Sequence, residues 1–542
     1  MRAPSLTVMS GVLMASLVAA PAPAAAQALA PPPGQAPAPE RPGTTRIDQR
    51  ALRWEPCEDL DPVGEETLEC ATLTVPMAHG DRGYADPVRI ALSRAAATGT
   101  AEHTLLVNPG GPGSAGRRWA SYTHLRMAPE LREVYDVVAF DPRGVGASTP
   151  RITCDPGHFT APRPDGVPAD PGAEQALRAD AEEYARSCAQ NTGPLLDHMR
   201  TEDIAHDMDA IRAALDLDEI DYLGYSYGSY LGTVYSALYP NRVRALILDS
   251  VVDPDNPWYE SNLRQSLALD RSARNFFDWV ARHDAAYGLG ADADTVEEAY
   301  HTLRSELASD PIDGVVGPTE LESSIIVVAY SGASWPTVAA ALSDHIVDGD
   351  PAALKGLFDA YGEQPDADTD TGYGGYLAVQ CTDAPWPKDW DTWHEDTEGV
   401  HANAPFMGWH NTWYNAPCAT WDAEVEEWFQ VGDGPYRHPA YRGGALIVHA
   451  TGDGATPVEG SYSLRDRLPG SALVVEEGGL THGVALTGNV CVDEIARDYL
   501  LEGTLPERKE GEGPDAVCRA RPEPSPRTAQ SEPLVDRPGT SG

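Results

Sequence analysis

A chain of 542 residues is long enough to bury a large core, and a hydrophobic fraction of 42% is that of an ordinary globular protein. Its 83 acidic side chains outnumber 39 basic ones, and a net charge of -44 argues against binding of nucleic-acid phosphates. Such charge serves solubility first, and it leaves an acidic field that attracts cationic peptides.

Residues 1–26 read as a secretory signal, with Arg2 as a minimal positive start, an apolar stretch over 6–20 and Ala24-Ala25-Ala26 as the cleavage site. That stretch is short for a membrane span, and no second candidate follows. Residues 27–45 are a Pro/Ala-rich linker or propeptide. Strands are expected at 72–76, 88–95, 103–107 and 135–140. An acidic, Pro-rich insertion occupies 155–200. Ile204, Met208, Ile211 and Leu215 recur at helical spacing over 201–215, with Thr201 as the expected N-cap. A strand at 220–223, a helix at 229–239 and a strand at 244–249 continue the βα rhythm, which lapses over 256–434 into helical stretches and Trp/Gly-rich loops. There Trp335, Trp386, Trp390, Trp393, Trp409 and Trp413 read as the core of a lid, with one or two free to line a cleft. Strands return at 445–449 and 473–475, and the Pro/Ser/Arg/Glu-rich tail over 519–542 is expected to be disordered. Strands alternating with helices imply a mostly parallel sheet with its site at the strands' C-terminal edge.

Gly224-Tyr225-Ser226-Tyr227-Gly228 is a G-x-S-x-G pentapeptide between a strand-like and a helix-like run, the setting in which a serine is presented on a sharp, strained turn. Short motifs of this kind also arise as plain β-α turns, so the partners decide. Asp453 follows the strand at 445–449, and His482 lies in a Gly-flanked loop after the next strand. This is the order Ser, Asp, His that an α/β-hydrolase requires. Asn108-Pro109-Gly110-Gly111-Pro112-Gly113 follows the strand at 103–107, where Gly111 and Tyr227 N–H groups are placed to form an oxyanion hole. The D-P-R-G-V-G-A-S turn at 141–148 reads as scaffold. Asp249, at the end of the strand after Ser226, is the reserve candidate should Asp453 not be the acid.

The N-P-G-G-P-G, D-P-R-G-V-G-A-S, G-Y-S-Y-G-S-Y-L-G and G-D-x-x-T-P segments resemble those of the secreted actinobacterial tripeptidyl aminopeptidases, α/β-hydrolases related to proline iminopeptidases. The resemblance covers about residues 46–518. It departs at Asn108, where the H-G-G-P-G form has histidine, and at Thr481, where glycine is commoner. It implies an α/β-hydrolase core over 46–255 and 435–518, a large, mainly helical cap inserted over 256–434, and release of tripeptides through an acyl-enzyme. Eight cysteines fall into near neighbours, and their locality together with the resemblance supports the pairs Cys57–Cys70, Cys154–Cys188, Cys381–Cys418 and Cys491–Cys518. A zinc site competes only weakly, since neither C-x-x-C nor H-E-x-x-H occurs.

An exopeptidase must hold a free ammonium at a fixed distance from its nucleophile, and a desolvated cation needs a carboxylate. Asp383, in a C-x-D segment beside Cys381, is the expected anchor, with Glu322 or another cap acid as the alternative. No cofactor or metal is expected, the substrates are peptide or protein N-termini, and neither nucleic acid nor a stable membrane anchor is implied. Two other readings stay open: an esterase, lipase or proline iminopeptidase with the same triad, and a catalytically dead hydrolase-fold binding protein.

Overall fold

The computed structural model describes residues 52–527, apart from 61–62, 65, 80–86, 424, 426, 433–440 and 442. The expected signal (1–26) and linker (27–45) lie outside the described residues. A ten-stranded sheet organises the rest: β1 Glu55–Pro56, β2 Leu68–Pro76, β3 Pro87–Ala95, β4 His103–Asn108, β5 Tyr135–Phe140, β6 Ile220–Tyr225, β7 Val243–Asp249, β8 Leu446–Ala450, β9 Ala472–Glu477 and β10 Ala516–Arg519. Their order is β1-β2-β3-β5-β4-β6-β7-β8-β9-β10. The joins from β1 to β5 are antiparallel, and from β5 onward every neighbour is parallel.

The central strands β4 and β6–β8 are almost continuously buried because helices cover both faces. One face packs Leu106, Val138, Tyr222 and Leu248 against the helices Thr201–Ala214 and Tyr227–Leu238. The other packs Val107, Val137, Leu223 and Ile247 against Trp119–Arg126 and Val490–Glu502. Between β7 and β8 the named elements are all helical, from Tyr259–Arg282 to Ala416–Ala419. This insertion has two packing halves. Phe276, Trp279, Tyr300, Trp335 and Phe406 build a core of their own, whereas Tyr373, Leu377, Trp386, Trp393 and Cys418 join the core beneath the sheet. Trp386, Trp393, Trp390, Trp413 and Trp409 form one stacked ladder with neighbouring ring centroids 5.1–5.9 Å apart. These tryptophans thus pack on one another within the insertion. All four cysteine pairs are disulfides in the sequential pattern. Among the described residues no helix is long and apolar enough to cross a membrane.

Three local features differ from the sequence reading. The 155–200 insertion contains a 22-residue helix, Pro171–Thr192, capped by Asp170, whose carboxylate accepts from Gly172 and Ala173 N–H. Its buried stripe, Ala181, Tyr184, Ala185 and Cys188, is legible as a helical period once the acidic surface is set aside. Thr201 is not an N-cap. Arg200 holds that position, and the Thr201 hydroxyl donates across to Asp383. The described part of the tail, 519–527, has defined partners: Trp279 Nε1 donates to the Pro524 carbonyl at 3.2 Å, and Arg282 grips Glu523 with two nitrogens, while 528–542 lie outside the described residues. Composition could not reveal these partners, which lie about 240 residues upstream.

Candidate active site

β6 delivers Ser226 into a turn with φ 56° and ψ -126°, a region that non-glycine residues adopt only under strain of about 1–3 kcal/mol. The turn is tight enough that a Cβ on Gly224 would lie 2.2 Å from the Gly228 carbonyl oxygen, which is why the pentapeptide needs glycine there. Ser226 is partly exposed between buried neighbours, and its N–H donates to the Asp249 carbonyl at 3.0 Å.

The turn after β8 wraps the Asp453 carboxylate. Oδ1 accepts from Ala455 and Thr456 N–H at 2.8 and 3.0 Å, and Oδ2 accepts from the Thr456 hydroxyl at 3.0 Å. His482 Nδ1–H donates to Oδ2 at 2.8 Å, which puts the shared proton on Nδ1. Burial alone would raise the Asp453 pKa, but the charge and hydrogen bond of His482, then His449 and Thr456, outweigh it and bring it down to about 2. For His482 burial opposes the imidazolium, and Asp453, with a further contribution from Asp249, overcomes it and raises the pKa. His449, buried within β8, accepts from Val251 N–H at Nδ1 and donates from Nε2 to the Thr456 carbonyl, fixing this turn.

The loop after β4 lies against Ser226. A Cβ on Gly110 would sit 2.8 Å from Ser226 Cβ and 3.0 Å from the Tyr227 nitrogen. Asn108 Oδ1 accepts the Gly110 N–H at 2.9 Å, which orders the loop. Tyr227 opens its helix, where no preceding turn supplies an intrahelical acceptor for its N–H. Asp141 in the following glycine-rich turn accepts from Arg117 and Ala147, the scaffold role expected of it. From above, the insertion touches the loop where Gly113 packs on the backbone of Gly372 and Tyr376. It also touches the histidine loop, where His482 N–H donates to the Tyr330 carbonyl at 2.8 Å.

Asp383 is otherwise engaged. Its carboxylate accepts Thr201 N–H at 2.7 Å and the Thr201 hydroxyl at 2.6 Å, and the side chain is only 6% exposed. Burial first, then the nearby Glu202 charge, raises its pKa well above the usual carboxylate range. A carboxylate capping a helix in this way ties the cap to the core and is not presented to a ligand. Glu322 is buried too, but differently: one oxygen pairs with Arg304, while Oε2 lies 3.5 Å from His410 Nδ1 and has no hydrogen bond. Burial acts to raise its pKa, and His410 and Arg304 reverse that and lower it.

Sequence reasoning missed Tyr330, Thr456 and the use of Ser250. Thr456 stood within the G-D-x-x-T-P segment and was findable as a local side chain-to-backbone partner. Tyr330 and Ser250 carry no local signal, because their partners come from distant segments.

A family profile described as alpha/beta hydrolase fold matches residues 103–305, and one described as TAP-like protein matches residues 404–518. With the sheet order and the strained serine turn, they define an α/β-hydrolase. The chain is 38% identical over 494 residues to the tripeptidyl aminopeptidase of Streptomyces lividans, covering 89% of each chain. It is 31% identical over 480 residues to serine protease Hip1 of Mycobacterium tuberculosis, covering 84% of this chain and 89% of that one. A third relative, Carboxylesterase B of Mycobacterium tuberculosis, is 31% identical over 477 residues, with 84% and 88% covered. The chain belongs to the tripeptidyl aminopeptidase family of α/β-hydrolases, and it is a serine hydrolase of the peptidase kind.

Proposed function

We propose that the protein is an exported exopeptidase that releases tripeptides from free N-termini through an acyl-enzyme on Ser226. The observation that carries this reading is the His482–Asp453 hydrogen bond, which leaves Nε2 bare, in a chain whose serine sits on a strained strand-to-helix turn. Ser226 Oγ attacks the carbonyl of the third residue while His482 Nε2 takes its proton. Gly111 and Tyr227 N–H groups receive the oxyanion, each such donor being typically worth about 10²- to 10³-fold in rate. The imidazolium then protonates the departing amine, leaving the tripeptide esterified to Ser226. Water, deprotonated by His482, attacks that ester, and collapse of the second intermediate returns the proton to Ser226.

Glu322 replaces Asp383 as the proposed ammonium anchor. Its Oε2, which faces His410 at 3.5 Å and accepts no hydrogen bond, supports this, as does its place in the chain. Helix Pro318–Ile325 leads through Val327–Tyr330 to the residue that holds His482. Export is supported by the four disulfides, which persist in oxidising compartments. Ester hydrolysis is the second reading, favoured by the relative named Carboxylesterase B.

The test compares kcat/KM on di-, tri- and tetrapeptidyl chromogenic amides, each with free and acetylated N-termini, and on a simple acyl ester. The expected result is a maximum at the free tripeptide. Glu322→Gln should then lose about 10²-fold on that substrate alone, typical of removing one side of a buried charge pair. Equal rates on free and acetylated substrates would contradict the exopeptidase reading, and a preference for the ester would favour the second.

A further inference from the structure

The catalytic scheme leaves one fully buried carboxylate at the site without a role. Asp249 ends β7, is 0% exposed, and aims its side chain at a segment about 235 residues away. Oδ2 accepts from the N–H groups of Val484 at 2.7 Å and Ala485 at 2.6 Å, and Oδ1 accepts from the Ser250 hydroxyl at 3.1 Å. The Ser250 oxygen in turn accepts from Gly483 N–H at 2.8 Å. Three consecutive amides directly after His482 are thus held by two adjacent side chains. Tyr225, the residue before the nucleophile, adds a fourth tie, donating its hydroxyl to the Ala485 carbonyl at 2.7 Å.

The same two residues hold the other members of the site by their backbones. The Asp249 carbonyl accepts the Ser226 N–H, and Ser250 N–H donates to Val448 of β8, the strand that leads into the Asp453 turn. Ser250 adopts φ 53°, a strained conformation for serine, within this clamp. Burying a carboxylate away from water is unfavourable unless hydrogen bonds compensate it, and an apolar residue would fill a strand end at no such cost. Charge-assisted bonds from amide to carboxylate are also short and directional. An arrangement this unfavourable to bury, joined to all three catalytic segments, is explained by the alignment it imposes.

We propose that Asp249 and Ser250 are positioning residues that hold the His482 loop in register with Ser226. The proposal rests on the assignment of Ser226 and His482 given above. Misplacing a catalytic group by about 1 Å can cost roughly 10²-fold in rate. The loss appears in kcat, because the clamp touches the base and not the peptide-binding cap. A second signature is electrostatic. The titratable groups facing the Asp249 carboxylate are His482 and the Tyr225 phenol, and the Asp249 charge favours the imidazolium. Its removal shifts the acid limb of the rate profile to lower pH.

The experiment measures kcat, KM and the pH profile of Asp249→Asn and Ser250→Ala on a free tripeptidyl amide, normalised to active sites by a serine-directed phosphonate. For Asp249→Asn the expected result is a kcat loss of about 10²-fold, KM within about twofold of the parent and an acid limb moved to lower pH. Ser250→Ala, which keeps the charge, should lose kcat by a smaller factor with the limb unmoved. Folded Asp249→Asn with kcat within about threefold of the parent and an unmoved limb would overturn the proposal. Should Asp249→Asn not fold, Ser250→Ala decides: a kcat loss at constant KM supports the clamp, and parental kcat overturns it. Phosphonate labelling of the parent at a residue other than Ser226 would instead defeat the catalytic assignment, so the two failures are distinguishable.

Discussion

Two strand ends, those of β7 and β8, each present a fully buried aspartate toward His482, and the two carboxylates have opposite acidities. Asp453, after β8, is held at about 2, whereas Asp249, ending β7, is pushed up to about 7. Burial acts to raise both. At Asp453 the imidazole of His482 supplies both a hydrogen bond and a compensating charge. At Asp249 two backbone amides and a hydroxyl offset burial only in part, and His482 is felt at longer range. Residue type and depth therefore do not fix a carboxylate's role. What donates to it does: an imidazole at one strand end, and backbone amides with a hydroxyl at the other.

The sharpest way to break this distinction is to neutralise the two aspartates separately. Asp453→Asn should lower kcat by about 10⁴-fold by favouring the wrong imidazole tautomer, with little change in KM. If Asp249 could serve as the acid, turnover would stay within about tenfold of the parent, an outcome readily seen by steady-state kinetics.

His449 joins the two ends, binding Val251 just past β7 and Thr456 in the Asp453 turn. Burial first of all keeps its pKa low, so it acts as a neutral strut. His449→Phe should cost about 1–3 kcal/mol of stability for the buried polar groups left unpaired, read from denaturant midpoints. It should also lower kcat less than Asp453→Asn does. A stability loss with unchanged kcat would separate the strut from the chemistry.

The pH dependence sharpens the comparison further. The proposed mechanism needs neutral His482, whose pKa is raised, so kcat/KM should climb with pH through a midpoint above the ordinary histidine value of about 6.5. Stability runs in opposite directions at the two aspartates. With a depressed folded pKa, Asp453 contributes stability above its unfolded value of about 4, lost as pH falls through about 2. Asp249 binds its proton more tightly when folded, so its contribution is lost as pH rises from about 4 through about 7. Across that window the parent's Tm should fall relative to that of Asp249→Asn, and parallel Tm curves would contradict the raised acidity.

The smallest effect is expected far from both strand ends. Arg282 and Glu523 are each about half exposed, so Arg282→Ala should cost at most about 0.5 kcal/mol and leave kcat unchanged.

What could be read from sequence follows the same division. The strands β4 to β9 were legible because buried parallel strands are apolar runs, and the sharp turn at Ser226 because it needs glycine at 224. The Asp453 turn was legible because its donors, Ala455 and Thr456, are its sequence neighbours. Asp249 could be seen as an acid at a strand end, but its partners at 483–485 become neighbours only when the sheet forms. Asp383 misled for that reason: a polar residue beside a disulfide looks available until Thr201, from another helix, occupies it. β10 escaped because four residues pinned by Cys518 leave too short a pattern to detect.

The central claim is an acyl-enzyme on Ser226 carrying three residues, and rapid-quench mass spectrometry of the enzyme with a free tripeptidyl ester reads it directly. The account predicts a transient tripeptidyl adduct on the peptide containing Ser226, absent in Ser226→Ala and much reduced when the substrate's amine is acetylated. An adduct on another residue, or equal accumulation from free and acetylated substrates, would contradict it.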